Sequence, residues 1–259
     1  MTAQFDYLDG QLRATHPALF ARFAAASARA VAECAPEIDV GYGPHPRQTF
    51  DLFRAVGRAR GTLAYFHGGY WQARDKADFA FIAPSLVADG HDVALVNYPL
   101  CPEVSVADIG DAAAWVMAHL TGPVILAGHS AGGQIVAGLG LVAQARGWDV
   151  AGVLAISGVF DLVPLVETTL NERLGLDAES ALAVSPVCRV VGSAPRAIFA
   201  VGGGETAAFH AQTRRMTRAW AAVGNAAREM IVPEADHFSI LDGFCGDGAL
   251  RKAVRALSA

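Results

Sequence analysis

Charged residues are scarce in this chain, and no stretch concentrates charge of one sign. They make up 17% of the 259 residues, against 53% hydrophobic residues, and the net charge is −5. The nearest approach to a basic cluster is Arg54, Arg58 and Arg60, which suits a solvated loop. This composition predicts a compact, ordered protein. It gives no electrostatic reason to expect nucleic acid or an anionic membrane as a partner.

Cysteines and long apolar runs are also few. The four cysteines lie far apart, with no C-x-x-C pair and no Cys/His spacing that suggests zinc, so we expect isolated thiols in a reducing compartment and no metal. The longest apolar runs, such as 150–156, are too short to span a bilayer. The first nine residues carry acids and lack the apolar segment of a signal peptide. We therefore expect a cytoplasmic protein without a membrane partner.

Short apolar runs alternate with segments of helical spacing along the chain. Strands are predicted at 38–42, 48–53, 61–66, 91–97, before Ser130, and at 151–157, 195–201 and 227–232. Helices are predicted at 16–34, 76–88, 104–120, from Ser130 to about 144, and at 209–223 and 250–257. This α/β alternation predicts one domain over 1–259, with a mostly parallel sheet covered on both faces. Segment 159–193 interrupts it with short helical pieces and is predicted to form a small cap.

One glycine-flanked serine follows an apolar run directly. Gly128-His129-Ser130-Ala131-Gly132 matches the nucleophile-elbow pattern G-x-S-x-G, in which a strained strand-to-helix turn exposes the serine hydroxyl. A pattern with three fixed positions also arises by chance in a chain rich in glycine and alanine. The strand predicted before it and the helix predicted after it supply the context that the motif requires, so Ser130 is the candidate nucleophile.

A nucleophilic serine needs a base and an acid that orients the base. His237 lies in a loop beyond the last predicted strand, so we predict that it is the base. Glu205 follows the strand before that and is the favoured acid, although an acid at a helix start is also favourable by itself. Asp161 is the alternative acid, and it could instead cap the helical piece that follows. The order Ser, acid, His is typical of α/β-hydrolases.

The negative oxygen that forms during acyl transfer needs backbone N–H donors, each worth roughly 3–4 kcal/mol. Ala131, directly after the serine, supplies one such donor. The loop 67–71, His-Gly-Gly-Tyr-Trp, is predicted to supply others through Gly68, Gly69 or Tyr70, because glycines let the backbone approach a substrate. The alternative is a plain Gly-Gly turn, but such a turn would not require a histidine before it or two aromatic residues after it.

Aromatic residues near these motifs are candidates for a substrate pocket. We predict that His67, Trp71 and Phe238 line it, although Trp71 could equally belong to the core.

Taken together, the motifs resemble those of the kynurenine formamidase (arylformamidase) group of α/β-hydrolases, neighbours of the hormone-sensitive-lipase-like esterases. The matching segments run from about residue 40 to 240 and include 67–71, 128–133, 157–162, 205–212 and 236–238. The resemblance implies a cofactor-free serine hydrolase that converts N-formylkynurenine to kynurenine and formate. It implies Ser130 as nucleophile, His237 as base, and Gly68 and Gly69 in the oxyanion loop. The family's acid is commonly Asp, whereas the matching position here is Glu205.

The sequence is compatible with three functions. The first is a formamidase acting on an aryl amide, which needs almost no room for the formyl group. The second is a carboxylesterase or thioesterase of small acyl groups. The third is a binding protein on a catalytically inactive hydrolase scaffold. The expected partner is a small-molecule ester or amide, and a homodimer is one option for the assembly.

Overall fold

The computed structural model describes residues 2–258, and its centre is an eight-stranded sheet of order β1-β2-β4-β3-β5-β6-β7-β8. The strands are β1 (Glu37–Gly41), β2 (Thr49–Phe53), β3 (Thr62–Phe66), β4 (Asp92–Val96), β5 (Val124–His129), β6 (Val150–Ile156), β7 (Ala197–Gly202) and β8 (Ala227–Val232). β2 pairs antiparallel with both β1 and β4, and all other neighbours are parallel. The predicted mostly parallel sheet is confirmed.

Helices cover both faces of the sheet. They are α1 (Ala3–Tyr7), α2 (His16–Cys34), α3 (Ala83–Ala88), α4 (Val106–Ala114), α5 (Ala131–Val142), α6 (Asn171–Leu174), α7 (Ala178–Ala183), α8 (Ala207–Ala222) and α9 (Ala249–Leu257). Alternate residues of a strand point to opposite faces. In β3, Ala64 and Phe66 join the core formed with α4, α5 and α8, whereas Leu63 and Tyr65 join the core formed with α2, α3 and α9. Burial on both faces explains why the central strands are continuous apolar runs.

Two predicted helices are shorter or tighter than the sequence indicated. The segment 76–88 begins as a 3₁₀ turn, Lys76–Ile82, and becomes α-helical only as α3, with Pro84 in its first turn. The segment 104–120 is α-helical from Val106 to Ala114 and continues as a 3₁₀ turn, Trp115–His119. The short helix α1 lies in the first residues, where no element was predicted.

Between β6 and β7 the chain leaves the alternating pattern, as the sequence indicated. This segment holds a 3₁₀ turn at Val163–Glu167, then α6 and α7, then a second 3₁₀ turn at Pro186–Cys188. Its role as a cap stays a prediction. Among residues 2–258, no helix is both long enough and apolar enough to cross a bilayer, and each of the four cysteines is a free thiol.

Candidate active site

Ser130 lies in the turn between β5, which ends at His129, and α5, which begins at Ala131. Its backbone has φ 55° and ψ −116°, a strained conformation for a residue with a side chain. Tight packing holds the turn in place, because a Cβ on Gly128 would collide with the carbonyl of Gly132, and one on Gly132 with the carbonyl of Phe66. The two motif glycines therefore permit the turn that presents the serine.

A continuous hydrogen-bonded chain runs from Ser130 to Glu205. His237 Nε2 lies 3.1 Å from Ser130 Oγ, and His237 Nδ1 lies 2.8 Å from Glu205 Oε2. A carboxylate only accepts, so Nδ1 carries the proton and Nε2 is left to accept from the serine hydroxyl. All three residues are buried. This is the arrangement that activates a serine by a base and orients the base by an acid.

The second oxygen of Glu205 is held by two donors. Oε1 accepts from Ser157 Oγ at 2.5 Å and from the backbone N–H of Gly202 at 2.7 Å. Both donors come from the carboxyl ends of strands, since Ser157 follows β6 and Gly202 ends β7. Ser157 was not among the predicted site residues, although its place directly after a buried strand was a usable signal. The contacts fix the carboxylate in the orientation that meets His237.

His129, the neighbour of Ser130, connects the elbow to the loop of His237. Its Nε2 donates to the backbone carbonyl of His237 at 2.7 Å. Burial lowers the pKa of His129 well below its usual value, and the positive charge that His237 can carry lowers it further. The ring is therefore neutral, with its proton on Nε2, and it ties the two loops together.

The expected oxyanion donors are free to bind a ligand. Within residues 2–258, the N–H groups of Gly68, Gly69, Tyr70 and Ala131 donate to no acceptor of the protein. Ala131 is the first residue of α5, where N–H groups have no partner inside the helix. The loop lies against the elbow, because a Cβ on Gly68 would come within 3.0 Å of Ser130 Cβ. The structure thus brings the two sources of donors to the same serine.

His67 and Trp71 do not line the pocket, so this part of the sequence-based prediction is wrong. His67 is fully buried, with its ring stacked on Tyr98 at 4.5 Å and its Nδ1 donating to the Gly68 carbonyl at 2.7 Å. Trp71 is also fully buried, and its Nε1 donates to Gln134 Oε1 at 3.2 Å. Both side chains pack inside the protein, and Trp71 belongs to the core.

Asp161, the alternative acid, has other partners. Its Oδ1 accepts from the backbone N–H of Val163 at 3.1 Å, and its Oδ2 forms an ion pair with Arg215. It therefore caps the turn that opens the segment between β6 and β7. Glu205, not Asp161, is the carboxylate that the structure brings to His237.

A cavity of about 370 Å³ opens onto Ser130 and His237. Phe238, Leu241 and, from α2, Phe20 and Phe23 form an apolar wall beside His237. Further lining comes from the oxyanion loop and its continuation, and from the segment after β6, namely Gly68, Gly69, Tyr70, Gln72, Ala73, Arg74, Leu170 and Arg173. Phe238 thus lies where it was predicted. No three His, Cys, Asp or Glu side chains of the described residues lie close enough together to hold a metal ion.

A family model described as the alpha/beta hydrolase fold matches residues 63–241, which include the elbow, Glu205 and His237. The chain belongs to the α/β-hydrolase family. The predicted fold class and the prediction of a hydrolase enzyme are both confirmed.

Relatives of this α/β-hydrolase are formamidases and esterases. It is 30% identical over 223 residues to a kynurenine formamidase of Danio rerio, covering 79% of this chain and 75% of that protein. A crystal structure described as a "putative thioesterase" from a Silicibacter species matches over 100% of both chains, with 30% identity and a TM-score of 0.91. A hormone-sensitive lipase from a metagenome library shares the fold, with 20% identity, a TM-score of 0.71 and 90% of this chain covered. The predicted membership of this formamidase and esterase group is confirmed.

Proposed function

We propose that this α/β-hydrolase cleaves a small-molecule amide or ester through a Ser130–His237–Glu205 triad. The observation that carries the proposal is the hydrogen-bonded chain of 3.1 Å and 2.8 Å that links the three side chains beside the cavity. The free N–H groups at the same serine supply the electrostatic part of the mechanism.

In the first step His237 Nε2 takes the proton of Ser130 Oγ as that oxygen attacks the substrate carbonyl. The bond from Ser130 Oγ to carbon forms, and the negative oxygen is bound by N–H groups of Ala131 and of the Gly68–Tyr70 loop. Glu205 stabilises the imidazolium ion. When the intermediate collapses, His237 protonates the leaving amine or alcohol, and the acyl-enzyme remains. Water, deprotonated by the same histidine, then releases the acid and restores the serine.

For the substrate we favour an aryl formamide of the N-formylkynurenine type. His237 must protonate the leaving atom, so the leaving group lies along the wall beside it, where Phe20, Phe23, Phe238 and Leu241 offer an apolar surface. On the β6 side of the serine, residues 157–160 are fully or nearly fully buried and none of them lines the cavity. A small acyl group with an aromatic leaving group fits this asymmetry. The 30% identity to a kynurenine formamidase supports the same choice.

Hydrolysis of small esters or thioesters is the second candidate. It is favoured by the match over the whole chain to the Silicibacter structure described as a thioesterase. The catalytic groups would be the same, because only the leaving atom changes from nitrogen to oxygen or sulfur.

The test compares N-formylkynurenine with p-nitrophenyl acetate and with a short acyl thioester, using purified protein and measuring kcat/KM. We expect N-formylkynurenine to have the highest value. A higher value for the thioester or the acetate would replace the formamidase proposal with the second candidate.

The variant Ser130→Ala tests the triad itself. We expect it to lower kcat by about 10⁴-fold or more on every substrate. Ser193→Ala, the same change at an exposed serine outside the cavity lining, is the control for purification and folding. Hydrolysis by Ser130→Ala at the wild-type rate would refute the mechanism.

A further inference from the structure

Two arginines on the rim of the catalytic cavity have no carboxylate partner. Arg74 and Arg173 both line the cavity, and within residues 2–258 neither guanidinium lies within 4.0 Å of a carboxylate oxygen. Arg173 donates to the Cys101 carbonyl at 3.4 Å. Other arginines of the chain do pair with acids, for example Arg22 with Asp242. The cavity therefore presents positive charge that the protein does not neutralise by contact.

Arg74 contacts the apolar wall along which the leaving group is proposed to lie. Its guanidinium sits 4.8 Å from the ring centroid of Phe20. Phe20 contacts Phe238 at 5.0 Å between centroids, and Phe238 contacts His237 at 5.1 Å. An unbroken series of contacts thus leads from the guanidinium to the group that protonates the leaving atom.

The backbone holds Arg74 in a fixed position next to the oxyanion loop. The Ala73 N–H donates to the Gly69 carbonyl at 3.1 Å, and Arg47 Nη2 donates to the Arg74 carbonyl at 2.9 Å. The charge of Arg74 also reaches the elbow. Burial and the charge of His237 are the main causes of the lowered pKa of His129, and the charge of Arg74 is a smaller cause in the same direction. The side chain is exposed at the rim of the cavity, where it lies over Phe20.

A guanidinium stacked on an aromatic ring, at the mouth of an apolar cavity, is suited to bind a carboxylate through paired N–H donors. We propose that Arg74 selects substrates whose aromatic leaving group carries a carboxylate. This inference rests on the proposed function, because it assumes that the leaving group lies beside His237. The cavity lining also contains an acidic residue, Asp78, which does not pair with Arg74. Its Oδ2 accepts instead from the Asp75 N–H at 3.3 Å in a helix cap.

The experiment uses two esters with the same acyl group, phenyl acetate and 3-acetoxybenzoate, whose leaving groups differ by one carboxylate. The measured quantity is the ratio of kcat/KM for the anionic ester to that for the neutral ester. We expect Arg74→Gln to lower this ratio about five- to tenfold, a modest effect because solvent weakens an ion pair at this exposed rim. Arg74→Lys should restore part of the loss. Raising the salt concentration should lower the wild-type ratio more than the ratio of Arg74→Gln.

Arg29→Gln is the matched control, because Arg29 lies on the exposed face of α2 beside Glu33 and outside the cavity lining. It should leave the ratio unchanged. An unchanged ratio in Arg74→Gln would overturn the proposal, and so would a fall caused by Arg173→Gln instead. Both esters are compared on the same serine. A failure of the ratio test therefore refutes the role of Arg74, whereas a failure to hydrolyse N-formylkynurenine refutes the formamidase proposal alone.

Discussion

At the residue scale, the acid of the site is distinctive because it is a glutamate. The two carboxylate oxygens of Glu205 make different contacts. Oε2 contacts His237, and Oε1 accepts from Ser157 Oγ and the Gly202 N–H. Packing keeps the surrounding loops close, since a Cβ on Gly202 would collide with the Ala235 carbonyl. The glutamate carboxylate is thus held by Ser157 and the Gly202 N–H while it contacts His237.

We predict that Glu205→Gln lowers kcat by about 10²- to 10⁴-fold, because the amide can no longer orient the histidine and stabilise its positive form. Asp161→Asn should change kcat less than about threefold, since that carboxylate caps a turn and meets an exposed arginine. Both variants are compared by steady-state kinetics, with circular dichroism to verify the fold. A larger loss of kcat in Asp161→Asn would show that the acid has been misassigned.

The three residues of the proposed triad could be predicted from the sequence, because each follows a recognisable strand. Ser130, Glu205 and His237 come after β5, β7 and β8, and the carboxyl ends of parallel strands meet at one edge of the sheet. The sequence could not predict which way the side chains of the oxyanion loop point. Positive φ angles at Gly69, Tyr70 and Trp71 turn the backbone away from strand geometry, so sequence spacing no longer indicates which side chains face the cavity.

At the scale of elements, the segment after β6 is anchored by one side chain of α8. Gln212 Oε1 accepts from the backbone N–H groups of Phe160 and Asp161, at 2.9 Å and 2.8 Å. Its Nε2 donates to the Asp161 carbonyl and to the hydroxyl of Tyr7 in α1, both at 2.8 Å. One buried amide thus joins α8, α1 and the start of the predicted cap.

We predict that Gln212→Leu lowers the free energy of unfolding by about 2–4 kcal/mol. Leucine fills similar space but leaves buried N–H and C=O groups without partners, which costs about 1–3 kcal/mol for each group that water cannot reach. Arg214→Leu, an exposed position on the same helix, is the matched control and should change stability by about 0.5 kcal/mol or less. Urea unfolding monitored by circular dichroism measures both. Equal losses in the two variants would contradict the anchoring role.

The same contacts show why some elements were missed. Buried parallel strands were found within a residue or two because their apolar runs are continuous. Helix α1 has only five residues, too few for a periodic pattern, and it docks through distant contacts such as Thr206 Oγ1 to the Asp6 carbonyl. The change from 3₁₀ to α geometry falls next to Pro84, whose ring nitrogen has no N–H to donate to the preceding turn.

At the scale of the whole molecule, buried histidines make stability depend on pH, and burial lowers the pKa of three of them, His67, His91 and His129. His67 lies between Tyr98 and Phe79, and burial lowers its pKa to about 4. Burial also lowers the pKa of His129. Each is neutral in the folded protein but takes up a proton once the unfolded chain restores an ordinary pKa near 6.5. Falling pH therefore favours unfolding, and this effect sets in below about pH 6.5.

We predict that the free energy of unfolding falls by about 2 kcal/mol between pH 7.5 and pH 5.0 from His67 alone, with His129 acting in the same direction. Carboxylates whose pKa is lowered, such as Asp89 beside Arg251 and Arg255, lose their stabilising effect only below about pH 4. The change in stability over this pH range therefore comes from histidines.

Urea unfolding at the two pH values gives the difference in the free energy of unfolding for each protein. His67→Gln should reduce that difference by about 2 kcal/mol whatever its absolute stability, while His119→Gln, at an exposed position, should leave it unchanged. Equal stability of the wild-type protein at both pH values would mean that these imidazoles are not held neutral by the fold.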